Sequence, residues 1–363
     1  MLIEPKKGIA GLKPVIHGGI DEMELRKYGL LPQGVIDFSV CCNPYPHPQS
    51  FFTVLTDVDI RPYPDSEAAE LRTVIAAHLN IEENNVLPGS GTTELIRLII
   101  QSYLNNNDGV LIPVPAYGEY EIASRIAGGI VYHFDWQFPS DVHSRIEYLL
   151  YKIKKIRPKI IFLCNPNNPT GHYLSRTDIE SIAEAIPGTL IVIDEAYVNF
   201  VDNRWSSQYL IERGNVIILR SMTKDYGIAG LRLGYALADR EVIKILRKVC
   251  PPWNVNVFAQ KAGCMLMSDN EYLSATVPRL QKAKRHMMKA LTDCGYELFN
   301  SEANFFLVRI GDAAAFRRSL LRHGILVRDC ASFGLPEYIR IGVRIEDENK
   351  KLINIMQMEK IKI

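Results

Sequence analysis

Short apolar segments alternate with helical patterns through the middle of the chain, and this alternation limits the possible folds more than any other feature. The predicted strands cover residues 86–87, 109–114, 159–164, 189–193 and 216–219. Strands separated by helices usually pair in parallel and are covered on both faces. The sequence therefore predicts an α/β fold with a mostly parallel central sheet and helices on both faces.

The two ends of the chain differ from this middle part. Residues 1–50 are rich in Gly and Pro and predict an extended N-terminal arm that packs on a small domain and on the active site. Residues 51–267 predict the large domain, in which Ser66 is expected to cap the helix that follows it. Residues 268–363 combine long helical stretches with two strand-like segments, which predicts a smaller α+β C-terminal domain.

Charge and composition exclude several classes of function. The 363 residues carry a formal net charge of +1, so neither nucleic acid nor an anionic membrane is expected as a partner. No apolar run approaches the ~20 residues that span a bilayer, and no signal-like segment opens the chain. The seven cysteines are scattered and lack zinc-like spacing. We therefore expect reduced thiols, a cytoplasmic protein and no metal site.

The segment SMTK at 221–224, followed by GIAGLRLG at 227–234, directs the chemical interpretation. A lone loop lysine is usually a solvated charge. A lysine that is partly desolvated beside other cations can instead act as an amine nucleophile toward an aldehyde. The aldehyde most often held in this way is pyridoxal 5'-phosphate, so Lys224 is a candidate to bind that cofactor.

A glycine turn, GSGTTE at 89–94, leads from a short strand into a helix. Free backbone N–H groups and the helix dipole make such a turn a candidate phosphate site. The plain alternative is a strand-to-helix turn with Thr92 as the N-cap. A Walker A loop is excluded, because no Gly-Lys-Ser/Thr follows.

Further polar residues come directly after predicted strands, where ligands of open α/β sheets collect. Asp194 could pair with a protonated pyridine nitrogen, or else cap a helix or bind a metal. Tyr197 and Asn168 could reach the phenolic oxygen of the same ring. Tyr117 offers an aromatic face for stacking, although packing is its default role.

Together these motifs make the chain similar to the fold-type I pyridoxal-phosphate enzymes of the aminotransferase class I/II superfamily, over nearly its whole length. The resemblance lies in the glycine turn, Tyr117, NPNNPTG at 165–171, DEAY at 194–197, and SMTK with Gly230 and Arg232. It implies that Lys224 is the catalytic lysine bound to the cofactor and that Asp194 pairs with the pyridine nitrogen. The other implied cofactor ligands are Ser90, Gly91, Thr92, Ser221 and Arg232 on the phosphate, Asn168 and Tyr197 on the phenolic oxygen, Tyr117 on the ring, and Tyr63 from the partner subunit of a homodimer.

The arginines near the C-terminus are candidates for a substrate clamp, since a guanidinium suits both carboxylate and phosphate. Any one of them is a surface residue by default. Arg340 stands where aminotransferases bind the α-carboxylate, and Arg328 and Arg344 lie near it in sequence, which favours a doubly anionic substrate. The further predicted substrate contacts are Asn168 and, from the arm, His17, Gly18 and Gly19.

Two branches of the superfamily look most similar. Histidinol-phosphate aminotransferases share the RPYPD-like turn at 61–65, and the threonine-phosphate decarboxylases of the cobalamin pathway share HGG at 17–19, PWNVN at 252–256 and YIRIGVR at 338–344. Cys41 and Cys42 depart from their pattern, which leaves phosphothreonine against phosphoserine open.

We therefore predict a homodimeric pyridoxal-phosphate enzyme, with sites at the subunit interface, that decarboxylates a small O-phospho-amino acid. The first candidate is conversion of L-threonine O-phosphate to (R)-1-amino-2-propanol O-phosphate. One alternative is a histidinol-phosphate or related aminotransferase. The other, from a different class, is a regulator that binds pyridoxal phosphate without turnover.

Overall fold

The structure is a computed structural model that describes residues 3–4, 7–136, 138, 140–141, 143–269 and 271–361, so that residues 1–2 and 5–6 of the predicted arm lie outside it. The helices of the described residues are α1 (Lys7–Ala10), α2 (Glu22–Lys27), α3 (Gln49–Thr56), α4 (Ala69–Leu79), α5 (Thr92–Tyr103), α6 (Glu119–Ile126), α7 (Ile146–Ile156), α8 (Arg176–Ala185), α9 (Met222–Asp225), α10 (Arg240–Val249), α11 (Val257–Ser268), α12 (Glu271–Asp293), α13 (Ala313–Arg322) and α14 (Glu346–Ile361). The strands are β1 (Ile36–Asp37), β2 (Val86–Gly89), β3 (Gly109–Val114), β4 (Ile130–Asp135), β5 (Ile160–Cys164), β6 (Leu190–Asp194), β7 (Val216–Ser221), β8 (Gly234–Ala238), β9 (Glu297–Phe299), β10 (Phe305–Arg309), β11 (Ile325–Leu326), β12 (Arg328–Cys330) and β13 (Leu335–Gly342).

The central sheet has the strand order β2-β8-β7-β6-β5-β3-β4. Neighbours from β7 to β4 pair in parallel, whereas β8 runs antiparallel to both β7 and β2. The predicted α/β fold with a mostly parallel sheet is therefore confirmed. Cys164, at the end of β5, pairs with Asp194, at the end of β6, so the carboxyl ends of these strands lie level.

The central strands are buried because helices cover both faces of the sheet. Successive residues along a strand point to opposite faces and belong to different hydrophobic clusters. Ile161 and Ile191 belong to one cluster, and Phe162 and Val192 belong to the other. Burying each such side chain stabilises the fold by roughly 1.5–3 kcal/mol relative to leaving it exposed. The sheet is thus a rigid platform on which loop residues at its carboxyl edge can be positioned.

A second, antiparallel sheet of order β12-β13-β10-β9 forms the C-terminal part of the chain together with α12, α13 and α14. The N-terminal arm reaches this part through β1, which pairs in parallel with β11. Among the described residues, no helix combines the length and the apolar character that crossing a bilayer would require.

Local structure differs from expectation at two places. Helix α4 begins at Ala69 rather than after a Ser66 cap, because the Asp65 carboxylate accepts hydrogen bonds from the N–H groups of Glu67 and Ala69 at 3.0 and 2.6 Å. Ala68 stands just before the helix in a left-handed conformation, with φ of 44°. Strands β4 and β8 are absent from the predicted set; β8 is a buried five-residue segment that continues the glycine-containing loop after Lys224.

Candidate active site

A cavity of about 910 Å³ lies at the carboxyl edge of the central sheet, between the arm and the second sheet. The predicted site residues that line it are His17, Gly18, Thr92, Tyr117, Asn168, Asp194, Tyr197, Ser221, Lys224, Arg232, Arg328 and Arg340. The fold therefore brings together residues that are up to 323 positions apart between His17 and Arg340. Most of them lie in loops or at element ends, whereas Arg340 lies within β13 of the second sheet.

Lys224 lies in α9, a single helical turn that follows β7 directly. Ser221 and Thr223 line the cavity beside it, and their hydroxyl oxygens are 2.6 Å apart. Thr223 is a cavity residue that the sequence reasoning missed, although it stands within the SMTK motif.

Asp194 ends β6 and is only 3% exposed. The Tyr120 hydroxyl donates to its Oδ2 at 2.7 Å, and the Ala196 N–H donates to its Oδ1 at 3.0 Å. Burial raises the pKa of the Asp194 carboxyl above its ordinary value, against the opposing effect of the Tyr120 hydrogen bond. A protonated nitrogen brought into the cavity would compensate this charge. Tyr120 was also missed; its position three residues after Tyr117 was the available signal.

The glycine turn between β2 and α5 is shaped to receive an anion. Gly91 has φ of +76°, and a Cβ atom there would lie 2.7 Å from a guanidinium nitrogen of Arg232. Helix α5 begins at the next residue, Thr92, so its N-terminal N–H groups face the same place. Ser90 lies outside the cavity lining, and its N–H donates to Glu94 Oε2 at 2.7 Å. Gly91 is likewise outside the lining, so the candidate anion cradle consists of the start of α5 at Thr92 together with Arg232.

Three further predicted residues surround the space between Lys224 and this cradle. The Tyr117 hydroxyl lies 3.2 Å from Thr93 Oγ1, and burial raises the pKa of the Tyr117 phenol. Tyr197 packs edge-on against Phe305, with ring centroids 5.0 Å apart. Asn168 accepts a hydrogen bond at Oδ1 from Arg340, which leaves its Nδ2 as the donor end.

These residues fit pyridoxal 5'-phosphate. The cradle of Thr92 and Arg232 suits a phosphate, Asp194 suits a protonated ring nitrogen, and the Asn168 Nδ2 suits a ring oxygen. Lys224 lines the same cavity and supplies an amine for the aldehyde. As for metals, no group of three His, Cys, Asp or Glu side chains arranged to hold an ion occurs in the described part of the chain.

Two buried arginines stand opposite each other on neighbouring antiparallel strands. Arg328 on β12 pairs in register with Arg340 on β13, and they are 5% and 6% exposed. Like charges placed directly opposite each other destabilise a sheet. Within the described residues, the Arg340 Nε has no hydrogen-bond partner, while its other nitrogens donate to Asn168 and to the Ser39 carbonyl. The pair forms a cationic wall that an anionic ligand would neutralise.

Arg328 is held by the arm. It donates to the carbonyls of Ile16 and His17 at 2.7 and 3.2 Å and to Ser332 Oγ at 2.5 Å. Burial, and then the positive charge of Arg340, lower the pKa of Arg328. In these hydrogen bonds the charged Arg328 guanidinium donates only to neutral oxygens.

The arm places His17 over the cavity. The His17 Nε2 lies 3.1 Å from Oε1 of Glu119, a buried carboxylate that the sequence reasoning missed. Gly18 lines the cavity against the Ser39 carbonyl, and Gly19 lies behind it, where its N–H donates to Ser39 Oγ at 2.7 Å.

Arg344 and Tyr63 also lie outside the cavity lining of their own chain. Arg344 precedes α14 and binds Glu348 in the first turn of that helix, with Nε and Oε2 2.8 Å apart, and it donates to the Asp37 carbonyl. Tyr63 is 76% exposed and stacks on Trp253, with ring centroids 4.2 Å apart. A role of Tyr63 in a partner's site stays a prediction.

Comparison with known proteins gives consistent matches over most of the chain. Residues 45–355 match the family model of aminotransferase class I and II. The histidinol-phosphate aminotransferase of Methanocaldococcus jannaschii is 30% identical over 355 residues, which is 95% of each chain. The L-threonine-O-3-phosphate decarboxylase structure from Porphyromonas gingivalis is 27% identical, with a TM-score of 0.78 over 88% of this chain and 98% of that one. The histidinol-phosphate aminotransferase of Sinorhizobium meliloti, solved in complex with pyridoxal 5'-phosphate, is 22% identical and has a TM-score of 0.86 over 99% of each chain.

Proposed function

The chain belongs to the class I and II aminotransferase family and uses pyridoxal 5'-phosphate, and from this premise we propose that it is an aminotransferase for a small phosphorylated amine. Histidinol phosphate is the first candidate substrate, because that activity names the relative that matches 95% of the chain. These relatives support the aminotransferase alternative better than the decarboxylase predicted from sequence. The proposal keeps the cytoplasm as the compartment.

The observation that carries the proposal is the pair Arg328 and Arg340. Both guanidiniums are buried, both line the cavity, and the Arg340 Nε has no partner among the described residues. A phosphate offers several acceptor oxygens and up to two negative charges, so it can satisfy both arginines at once. A neutral substrate would leave the two charges facing each other.

When bound, pyridoxal phosphate supplies an electron sink for negative charge at the substrate Cα. In this proposal, Lys224 Nζ would hold the aldehyde carbon until the substrate amine displaces it, and the amine set free in this way would take the Cα proton and return it. Asp194 would favour the protonated form of the ring nitrogen. Tyr120 and the Ala196 N–H fix the Asp194 carboxylate at 2.7 and 3.0 Å, so its orientation does not depend on the ligand.

Asn168 contacts Arg340 through one end of its side-chain amide and is free to contact the cofactor through the other. Arg340 donates to its Oδ1, which leaves Nδ2 to donate to the ring oxygen. A substrate anion that binds Arg340 would therefore have Asn168 as a neighbour in common with the cofactor. The arm also lines this cavity, through residues that include His17.

Decarboxylation of O-phospho-L-threonine is the second candidate. Its support is the different environment of the two arginines: Arg328 binds arm carbonyls, whereas Arg340 binds Asn168 beside the cofactor site. A substrate with both a phosphate and a carboxylate could give one anion to each. The 27% identical decarboxylase structure adds support for this reading.

One experiment separates the two reactions. The purified holoenzyme is incubated with histidinol phosphate and with O-phospho-L-threonine, each with and without 2-oxoglutarate, and released CO2 and formed glutamate are measured. Glutamate formation from histidinol phosphate, dependent on 2-oxoglutarate, supports the aminotransferase. CO2 release from phosphothreonine without 2-oxoglutarate would overturn it in favour of the decarboxylase. Lys224→Ala is the blank, and cofactor binding without turnover of either substrate would indicate a binding protein.

We also propose a homodimer in which Tyr63 serves the partner's site. Its support is the exposure of Tyr63 on a proline-rich turn, held in place by Trp253. Mixing an inactive Lys224→Ala chain with an inactive Tyr63→Ala chain should restore part of the activity through hybrid dimers. An active monomer in sedimentation would contradict this.

A further inference from the structure

The short helix that carries Lys224 has carbonyl groups at its C-terminal end that find no hydrogen-bond partner within the helix. Helix α9 spans only four residues, and the last carbonyls of any helix lack partners within it. In α9 these include the carbonyls of Lys224 and Asp225. Their partners come from a residue about 180 positions earlier in the chain.

Asn43 of the arm supplies both hydrogen bonds. Its backbone N–H donates to the Lys224 carbonyl at 2.7 Å, and its side-chain Nδ2 donates to the Asp225 carbonyl at 2.9 Å. Asn43 is buried and lies outside the cavity lining. It therefore caps the helix without touching a ligand.

The remaining groups of Asn43 are also engaged. The Nδ2 donates a second time, to Thr276 Oγ1 on α12 at 2.8 Å, and Oδ1 accepts from the Tyr45 N–H at 3.2 Å. Thr276 in turn donates to the Tyr272 carbonyl at 2.7 Å. The amide thus has one orientation that satisfies every contact, which fixes the cap rigidly.

Gly227 provides independent evidence of this close approach. It has φ of +65°, and a Cβ atom there would lie 2.6 Å from the Asn43 carbonyl oxygen. A side chain at 227 would push the arm away from the lysine loop. The loop is therefore shaped around Asn43 from Lys224 to Gly227.

We propose that Asn43 is a positioning residue for Lys224: it holds the backbone of the lysine turn in place and ties that turn to α12. The proposal rests on the role of Lys224 proposed above, and not on which substrate is used. It goes beyond that role, because it assigns part of the placement of Lys224 to the arm.

The test compares Asn43→Ala and Asn43→Asp with Asn304→Ala in the holoenzyme. Asp keeps the volume of Asn but lacks the Nδ2 donors. Asn304 is the matched control, since it is a buried asparagine that donates to the arm at the Cys41 carbonyl, two residues before Asn43, at 3.1 Å. The readouts are hydrogen exchange of the peptide covering 222–228, the pH titration of the cofactor's visible absorbance, kcat and KM.

Both Asn43 variants should speed exchange in residues 222–228, shift the absorbance titration, and lower kcat roughly 10- to 100-fold with KM little changed. Asn304→Ala should leave the exchange of this peptide as in the wild type. Unchanged exchange at 222–228 in Asn43→Asp would overturn the proposal, and so would an identical pattern in Asn304→Ala. Exchange and absorbance need no substrate, so these outcomes stand even if the proposed reaction is wrong.

Discussion

Two buried arginine sites in this molecule have opposite designs. Arg220 lies against Glu195, with Nε and Oε2 2.6 Å apart, and Ser207 Oγ donates to the other carboxylate oxygen at 2.5 Å. Arg328 and Arg340 face each other across two strands, and their hydrogen bonds go to neutral oxygens. In the first site the arginine is paired with a carboxylate, whereas in the second two positive charges lie opposite each other.

The difference separates a structural charge from a functional one. A buried charge is tolerated when it is paired and hydrogen-bonded, and it is costly when it is not. Glu195 makes Arg220 part of the fold. No carboxylate of the described residues lies within ion-pair distance of Arg328 or Arg340, and in our proposal an anionic ligand in the cavity supplies the compensation.

Breaking the pair of Arg220 and Glu195 should have the largest effect. Glu195→Gln removes the charge but keeps the size, which leaves the largely buried Arg220 without its ion-pair partner, and we expect a loss of about 3 kcal/mol in the free energy of unfolding. Denaturant titration measures it. The control is Glu180→Gln, which breaks the solvent-screened pair with Arg176 and should change the free energy of unfolding far less. Equal losses of unfolding free energy in the two variants would mean that the pair of Arg220 and Glu195 stabilises the fold no more than a surface pair does.

Breaking the site of Arg328 and Arg340 should affect catalysis instead. Arg340→Met should lower kcat/KM for the phosphorylated substrate by roughly 30- to several-thousand-fold, or about 2–5 kcal/mol. The free energy of unfolding should stay level or rise, because an uncompensated charge is removed. Arg344→Met is the control, since Arg344 lies outside the cavity, and its kcat/KM should stay close to the wild-type value. If Arg340→Met were less stable than the wild type but equally active, Arg340 would be a structural charge and not a functional one.

Asp225 tests how far compensation reaches around Arg220. Burial raises the pKa of this carboxyl to about 6, although Asn199, the Tyr226 N–H and Arg220 favour its ionised form. Its ordinary pKa is 3.8, so its contribution to stability is present below about pH 4 and is lost as the pH rises through about 6. Asp225→Asn should therefore match the wild type at pH 4 and exceed it by up to about 3 kcal/mol at pH 8. Denaturant titrations at several pH values measure this, and a difference between the two proteins that does not change with pH would contradict it.

The smallest expected effect is the stabilisation of the protein by inorganic phosphate, which should depend on one of the two arginine sites and not on the other. At ten times its Kd, phosphate should stabilise the wild-type holoenzyme by about 1.4 kcal/mol. The double variant Arg328→Met/Arg340→Met should lose this gain, whereas Glu195→Gln should keep it. Melting temperatures with phosphate and with chloride at matched ionic strength provide the measurement. A gain that survives in the double variant would place the anion elsewhere.

The prediction from sequence was strongest where the determinants are local. The strand at 109–114 matches β3 at both ends, and the predicted strands at 159–164, 189–193 and 216–219 lie within two residues of the ends of β5, β6 and β7. Asp194 comes directly after its predicted strand and Lys224 comes a few residues after the next one, so their place at the carboxyl edge was readable. Strand β8 was not, because its antiparallel pairing depends on β2 and β7 rather than on its own five residues.

The amino-acid sequence by itself determined the α/β class, the family and many of the polar residues that line the cavity, because hydrophobic period and short motifs are local properties of the chain. Only the tertiary structure decided which arginines face that cavity. The register of β12 and β13 sets Arg328 opposite Arg340, while Glu348, one turn away, draws Arg344 outside. Only the folded chain, likewise, brings Tyr120 to Asp194 and Asn43 to the Lys224 carbonyl. The spacing of residues in sequence carries no record of such contacts, because they depend on how distant elements pack.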